Sequence, residues 1–432
     1  MKRNTNAQLR QRDTIASTVV VSKRQGYLLS SVLILIALSS GAQVVTLEEA
    51  IEVVSRQNPM LTPFETRAQA LSISAEGAKS WMAPMVGVGT FMTPYPGQEV
   101  MDMDKGSVMV SVEQQIPSAG RLNATSKYLA SQANIQRAAR LRQLNLLRTE
   151  TRMTYFRWLV SEKRRGVLKE DLQHLELMQK LAEVRYPYNQ GSLGEIYKLT
   201  GKIAEANNKI DLNESDIREA RSRLLSLMNL PDNNSLLIDT TTVIAPATLS
   251  DSAGLYARRS DILELNQRIH ATELGRSAQL AQGKPEIKLR FDHMQPLGDG
   301  MPKQFTAMAM VSIPIAPWSS RMYKSEARAM EYDIQAMKEE RVAIMNEYSG
   351  RLTGMSHKLQ AMQKQLLGYR QSILPALEKN FQTTLLAYEE NRAQLTMVLD
   401  GWEALNMMEF AYFEKLESYY TLIADYEKEL EL

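Results

Sequence analysis

The sequence predicts a mainly α-helical protein that carries a transmembrane β portion, with the whole arrangement present twice. Three observations carry this reading. Proline-free stretches run far beyond ordinary helix length, four ten-residue segments alternate as strands do, and the two halves echo each other at an offset near 200 residues.

The chain has 432 residues but only 21 Gly and 15 Pro, which favours few, long elements over several compact domains. Its 51 basic and 49 acidic residues nearly cancel, so charge supplies no footprint for nucleic acid. With no Cys there are no disulfides, no thiolate metal sites and no lipid-modified N-terminal Cys. At the N-terminus, Lys23 and Arg24 precede an apolar run from Leu28 to Leu38 and small residues from Ser39 to Ala42. This is the pattern of a cleaved signal peptide over residues 1–42 that leaves Gln43 first. The run is too short for a spanning helix, which needs ~20 apolar residues. The 22 residues ahead of Lys23 make a long leader and point to a start codon downstream of Met1.

The internal echo sets the domain organisation. Arg56-Gln57-Asn58-Pro59 opens a helical stretch, and Arg258-Arg259-Ser260-Asp261 opens another 202 positions later. Pro84 with Val86 and Val88 returns as Pro285 with Ile287 and Leu289, and Val110-Ser111-Val112 returns as Val311-Ser312-Ile313, both at an offset of 201. Pro117 and Arg121 match Pro317 and Arg321 at 200. Ordered matches at nearly one offset predict a tandem duplication. Its first repeat is 43–229, with a strand pair over 85–116 and a helical hairpin over 118–229. A linker follows over 230–257. The second repeat is 258–432, with strands over 286–315 and a hairpin over 317–430.

Proline removes a helix donor and clashes with the preceding turn, so proline-free stretches mark the helices. The stretch from Ser118 to Tyr186 would reach on the order of 100 Å at ~1.5 Å per residue. Others run from Tyr188 to Leu230, Trp318 to Leu374 and Ala376 to Leu432. The last carries Leu395, Leu399, Trp402, Leu405, Met408, Tyr412, Leu416, Tyr419, Ile423, Tyr426 and Leu430, steps of three and four that form a coiled-coil seam.

The strand segments are Met85 to Pro94, Ser107 to Ile116, Glu286 to Gln295 and Thr306 to Ile315. In the third, Ile287, Leu289 and Phe291 share one face, while Glu286, Lys288, Arg290 and Asp292 share the other. In the second, Val108, Val110 and Val112 oppose Ser107, Ser111 and Glu113. In the fourth, Ala307, Ala309, Val311, Ile313 and Ile315 oppose Thr306, Met308, Met310 and Ser312. Ten residues with apolar-out, polar-in alternation fit a transmembrane barrel strand, which would turn Glu113, Glu286, Lys288, Arg290 and Asp292 to the lumen. A soluble sheet with one wet face reads the same way locally. In a membrane, four strands cannot close alone, so barrel closure requires two chains for ~8 strands or three for ~12.

Over residues 46–430 the chain resembles the TolC family of outer-membrane efflux proteins. The resemblance rests on Val110 to Arg121, Val311 to Arg321, Tyr188 to Leu199 and Ile373 to Asp400, in which Ile373-Leu374-Pro375, Tyr388, Asn391 and Val398-Leu399-Asp400 match the family's second hairpin. It implies a homotrimer with one 12-stranded β-barrel in the outer membrane of a Gram-negative bacterium and long helices forming a periplasmic α-barrel. It further implies an exit duct of a tripartite efflux pump, partnered by a periplasmic adaptor (a membrane fusion protein) and an inner-membrane efflux transporter, with no catalysis and no cofactor. The hairpin tips that would dock the adaptor map to Gln190, Gly191, Ser192 and Leu193, and to Glu390, Asn391, Arg392 and Ala393. Glycine suits such a turn because it tolerates positive φ, and Asn is the usual second choice. One acidic gate position of the family maps to Asp400, whereas the other is Met397 here, leaving one acidic ring instead of two.

Two alternatives stay open at the level of sequence. The 24 Met residues include Met92, Met101, Met103, Met294 and Met301 near the strand loops beside His293, and thioethers suit Cu(I) or Ag(I), so a metal-specialised efflux channel is one. Met also fills irregular apolar surface without binding metal. A soluble periplasmic coiled-coil adaptor is the other, although it should have one hairpin and no charge-alternating strands. Scattered His174, His270, His293 and His357, and the lack of a phosphate loop or a metal-binding His pair, argue against an enzyme.

Overall fold

The computed structural model describes residues 43–232, 236–241, 245–246 and 258–432. The expected signal peptide, and much of the expected linker over 230–257, lie outside the described residues.

After a short strand β1 (Gln43–Val45), helix α1 (Leu47–Gln57) begins at a reciprocal capping box, with Glu49 N donating to Thr46 Oγ1 at 3.2 Å and Thr46 N donating to Glu49 Oε2 at 3.0 Å. Asn58 ends it, and Pro59 starts a 3₁₀ turn that leads into α2 (Thr62–Gly77). Strands β2 (Met85–Phe91) and β3 (Ser107–Ile116) follow, then α3 (Ala119–Arg185) and α4 (Leu193–Leu227). Beyond β4 (Leu236–Ile238), which pairs with β1, the order repeats: α5 (Ser260–Ala281), β5 (Glu286–Pro296), β6 (Gln304–Ser312), α6 (Pro317–Gly368), α7 (Leu374–Glu389) and α8 (Leu395–Glu429).

Helix α3 runs without a break for 67 residues, close to the proline-free span. Helix α6 does not pass straight into α7. Residues Tyr369–Ile373 form a π-helical turn immediately before Pro375, whose missing N–H and bulky ring disturb a regular α-helix. The seam expected on the last helix is its packed face: Leu395, Leu399, Trp402, Leu405, Leu416, Tyr419, Ile423, Tyr426 and Leu430 are buried. Met408 and Tyr412 are half-buried.

The buried residues form separate cores along the long helices. The largest joins α1, mid-α3, the end of α4 and the end of α8 around Tyr155, Phe156, Trp158, Leu224, Tyr420 and Ile423. A second, near the hairpin ends, joins Leu175, Met178, Leu199, Phe381, Tyr388 and Trp402. No helix among the described residues is long and apolar enough to cross a membrane.

The two strand pairs merge into one antiparallel sheet in the order β2-β3-β5-β6, with β3 and β5 paired from Ser107 opposite Pro296 to Ile116 opposite Ile287. Two of the expected strands differ by more than one residue from their expected bounds. The first strand stops at Phe91, not Pro94, because Met92 turns to φ 53° and leaves the extended region. The fourth spans Gln304–Ser312 instead of 306–315, so Ile313 and Ile315 fall outside it, and Pro314, without an N–H, cannot continue the ladder.

Candidate functional site

Two regions carry chemistry that a globular interior would not need: the faces of the sheet and the ends of the hairpins. In the sheet, directly opposed residues of an antiparallel pair share a face. The register therefore sets Val86 beside Val112, Val88 beside Val110, Phe291 between Val112 and Ala307, and Ile287 beside Val311. Glu113 opposes Arg290, and Ser111 opposes Asp292, on the other face.

Exposure is the reverse of a soluble sheet. Phe291 is 46% exposed and Val88 76%, whereas Asp292 is only 3% exposed. The polar face satisfies itself. Lys288 pairs with Glu113, Arg290 Nε lies 2.9 Å from Asp292 Oδ1, and Arg121 from the start of α3 pairs with Glu286. All five residues expected to face a lumen thus gather on one face and, with Arg121, make three neutral pairs. A row of unpaired charges would filter ions strongly, and this arrangement does not present one.

Of the residues near the strand loops, Met294 and His293 fall on opposite faces of the sheet. Met294 lies on the polar face opposite Met109, whereas His293 lies on the apolar face between Val110 and Phe305. The pleat thus separates these two members of the expected cluster.

At the first hairpin end, Tyr186–Tyr188 form a 3₁₀ turn and the chain reverses through Asn189 at φ 56°. Gln190 N returns to Arg185 O at 3.2 Å, a helix-closing pattern that requires the left-handed residue. Gly191 was expected to take that position, but its φ is not positive. The residue that turns is Asn189, whose short polar side chain tolerates the conformation. Ser192 then caps α4, accepting from Glu195 N at 3.2 Å while Ser192 N donates to Glu195 Oε2 at 2.8 Å. The second end closes alike on Asn391 at φ 60°, with Arg392 N donating to Ala387 O at 2.7 Å. Glu390 and Arg392 form an exposed ion pair at 3.2 Å.

One residue not singled out from the sequence joins these ends. Arg185, the last residue of α3, is 8% exposed. Its guanidinium lies 4.1 Å from the centre of the Tyr388 ring, and its Nη2 donates to the carbonyls of Tyr388 and, at 3.2 Å, Glu389. These are last-turn carbonyls of α7, beyond the reach of that helix's own ladder, and the Tyr388 carbonyl also accepts from Asn391 N at 2.9 Å. A cation there also complements the negative end of the helix dipole. A basic residue in the last turn of a helix is a recognisable signal, but it normally caps its own helix.

On the first turns of α8, Met397 and Asp400 are exposed, opposite buried Leu395, Val398 and Leu399. Further along, Trp402 and Asn406 donate to buried Asp171 of α3, the former from Nε1 at 3.1 Å. Lys202 of α4 reaches Glu403 at 3.3 Å.

No protein-family model matches the chain, and a comparison with curated proteins finds no match. Its fold does match solved structures. The outer-membrane channel OprN superposes with a TM-score of 0.71 at 15% identity, covering 89% of both chains. The outer membrane protein VceC of Vibrio cholerae gives 0.67 at 15% identity, covering 89% of this chain and 96% of that one. The MtrE outer membrane channel of Neisseria gonorrhoeae, in its open state, gives 0.69 at 15% identity, covering 89% and 88%. The architecture is that of the TolC-type outer-membrane channels.

Proposed function

We propose that this chain is one subunit of a trimeric outer-membrane exit duct, conducting substrates passively after an inner-membrane transporter expels them through a periplasmic adaptor. The observation that carries this reading is the inverted sheet, with exposed Val86, Val88, Ile287, Leu289 and Phe291 on one face and charge pairs closed against the other. In water such a sheet would solvate its charged face and bury its apolar one. In lipid the preference reverses.

The edge strands β2 and β6 belong to different repeats and leave unpaired backbone at both margins of the sheet. Lipid forbids such edges, so closure needs further copies, and the likeness to outer-membrane channels favours three. A soluble adaptor would have no use for an apolar outward face, and passive conduction asks for no catalytic residue. The tips around Gln190–Leu193 and Glu390–Arg392 are the adaptor docking sites in this reading. Exposed Asp400 and Met397 face the periplasmic mouth as a single acidic ring.

The test is membrane insertion combined with fractionation. Wild type should be recovered from the outer-membrane fraction as a heat-modifiable trimer. Leu289→Arg on the apolar face should cost about 2–4 kcal/mol near the bilayer midplane and deplete the trimer. Lys288→Gln on the polar face should leave trimer yield nearly unchanged. A soluble periplasmic monomer, or equal tolerance of both substitutions, would overturn the reading.

A further inference from the structure

Asp171 stands in an unusual place for a carboxylate. It is 4% exposed on α3 and accepts from Trp402 Nε1 and Asn406 Nδ2 of α8, tying the first hairpin to the second. Less than one turn beyond Asn406 on α8 lies half-buried Glu409, whose Oε2 is sequestered and has no hydrogen-bond partner among the described residues. The groups around this pair are mainly acidic. Helix α3 adds Glu170, and α7 adds Glu378, both of which act on Glu409. His174 of α3 sits nearby with its ring 5.0 Å from that of Phe381 on α7.

The cations on the neighbouring elements include Lys209, Arg370 and Lys358. Lys209 of α4 reaches Asn406 Oδ1 at 3.5 Å and influences Asp171, but it pairs with Glu205 at 3.0 Å. Arg370 of the π turn acts on Tyr412, and Lys358 of α6 lines a groove with Glu414 and Glu417 farther along α8. An ionised carboxylate left buried without a donor is costly, and protonation is the cheaper state.

We propose that Asp171 and Glu409 form a proton-binding site between the hairpins, which holds the second hairpin against α3 while occupied and loosens it when the proton leaves. The direction of both titrations agrees. Burial, followed by the charges of Asp171, Glu378 and Glu170, pushes Glu409 up to about 8. Burial likewise pushes Asp171 up to about 6, against the lowering effect of its hydrogen bonds to Asn406 and Trp402 and the charge of Lys209. The two carboxylates interact, so the pair titrates as a unit.

The sign for stability follows from linkage. Glu409 holds its proton more tightly folded than at its ordinary value of 4.5. The folded state therefore binds more protons across the interval from there to about 8, and stability falls as pH rises through it. Above that interval, ionised Glu409 faces Asp171, Glu170 and Glu378 across the α3–α7–α8 junction. The π turn at Tyr369–Ile373 lies only five residues before Glu378, so the helical ladder of the second hairpin is already irregular close to this site.

The proton site is independent of the function proposed above, and only its consequence for duct opening rests on that function. The experiment titrates the full-length protein by infrared difference spectroscopy, following the protonated-carboxyl C=O band, alongside thermal unfolding and amide exchange. Wild type should lose this band with a midpoint near pH 8, while its unfolding midpoint drops by roughly 2–4 °C between pH 6 and 9. Glu409→Gln should lack the band and flatten the drop. Asp171→Asn should retain the band with a lower midpoint, because a negative neighbour has gone. Amides of α8 around Asn406 should exchange faster at pH 9 in wild type than in Glu409→Gln after correction for intrinsic rates. The site is overturned if no carboxyl band titrates above pH 6, or if Glu409→Gln keeps the wild-type slope. The loosening is overturned if exchange is equal in the two proteins. None of these readouts measures conduction, so a failed site and a failed duct are distinguishable.

Discussion

The two hairpins descend from one pattern yet are built differently. The first is a continuous rod: α3 runs unbroken to Arg185, the turn closes on Asn189, and α4 restarts on a complete capping box at Ser192 and Glu195. The second is interrupted by the π turn Tyr369–Ile373, closes on Asn391, and restarts at Gln394, whose side chain makes no capping bond. Their surfaces differ too. Tyr186, Tyr188 and Tyr197 are exposed at the first end, against Glu389, Glu390 and Arg392 at the second. The duplication has thus produced a stiff brace and a jointed arm, and the brace holds the arm through Arg185. Under the proposed function, a docking adaptor would meet an aromatic site and a charged one on each chain.

Removing the clasp tests this contrast most severely. Arg185→Ala takes a buried charge from two α7 carbonyls and from the Tyr388 ring, and should cost about 2–3 kcal/mol locally. Amide exchange should rise by about thirtyfold or more in α7 from Leu386 and across the tip to Arg392, with little change at Asn189 and Gln190. Arg185→Lys should fall between the two, since an ammonium cannot present the same planar fork. Equal loosening of both tips would erase the distinction between brace and arm.

The next largest effects are expected at the left-handed residues. Asn391→Ala should cost about 1 kcal/mol or slightly more, because a Cβ without a compensating polar group resists this conformation. Asn391→Gly should be close to neutral. Asn189→Ala should cost as much, but the capping box should keep the start of α4 protected. Exchange at the first turns of α4 and α8 reads the difference.

Much of this was legible in the sequence, for reasons that differ by element. The long helices follow from proline spacing, and the seam from Leu395 to Leu430 follows from periodicity, since both signals are local and repeated. The inner charges at Glu113, Glu286, Lys288, Arg290 and Asp292 follow from the pleat. Their neutral pairing does not, because it depends on the β3–β5 register and on Arg121 entering from α3. Tip chemistry was harder. The resemblance draws attention to Gly191 as the turn residue, but the left-handed position falls two residues earlier, at Asn189. Arg185 and Asp171 gain their meaning only from residues more than 200 positions away, a distance that no local pattern spans. Glu409 did leave a trace, as a charge adjoining the apolar seam between Met408 and Tyr412.

The smallest predicted effects are also the most direct test of why the hairpins differ. Ser192→Ala removes one half of the capping box and should destabilise the start of α4 by about 1 kcal/mol. Gln394 already has the extended backbone of a helix cap, with ψ 151°, but contributes no capping side chain. Gln394→Ser should therefore stabilise the start of α8 by about 0.5–1 kcal/mol, slowing exchange at Met397 and Val398 several-fold. Combined in one chain, the two substitutions should exchange the order of protection between the tips. If α8 stays the more labile after both, the difference lies in the π turn and the carboxylates behind it, and not in the caps.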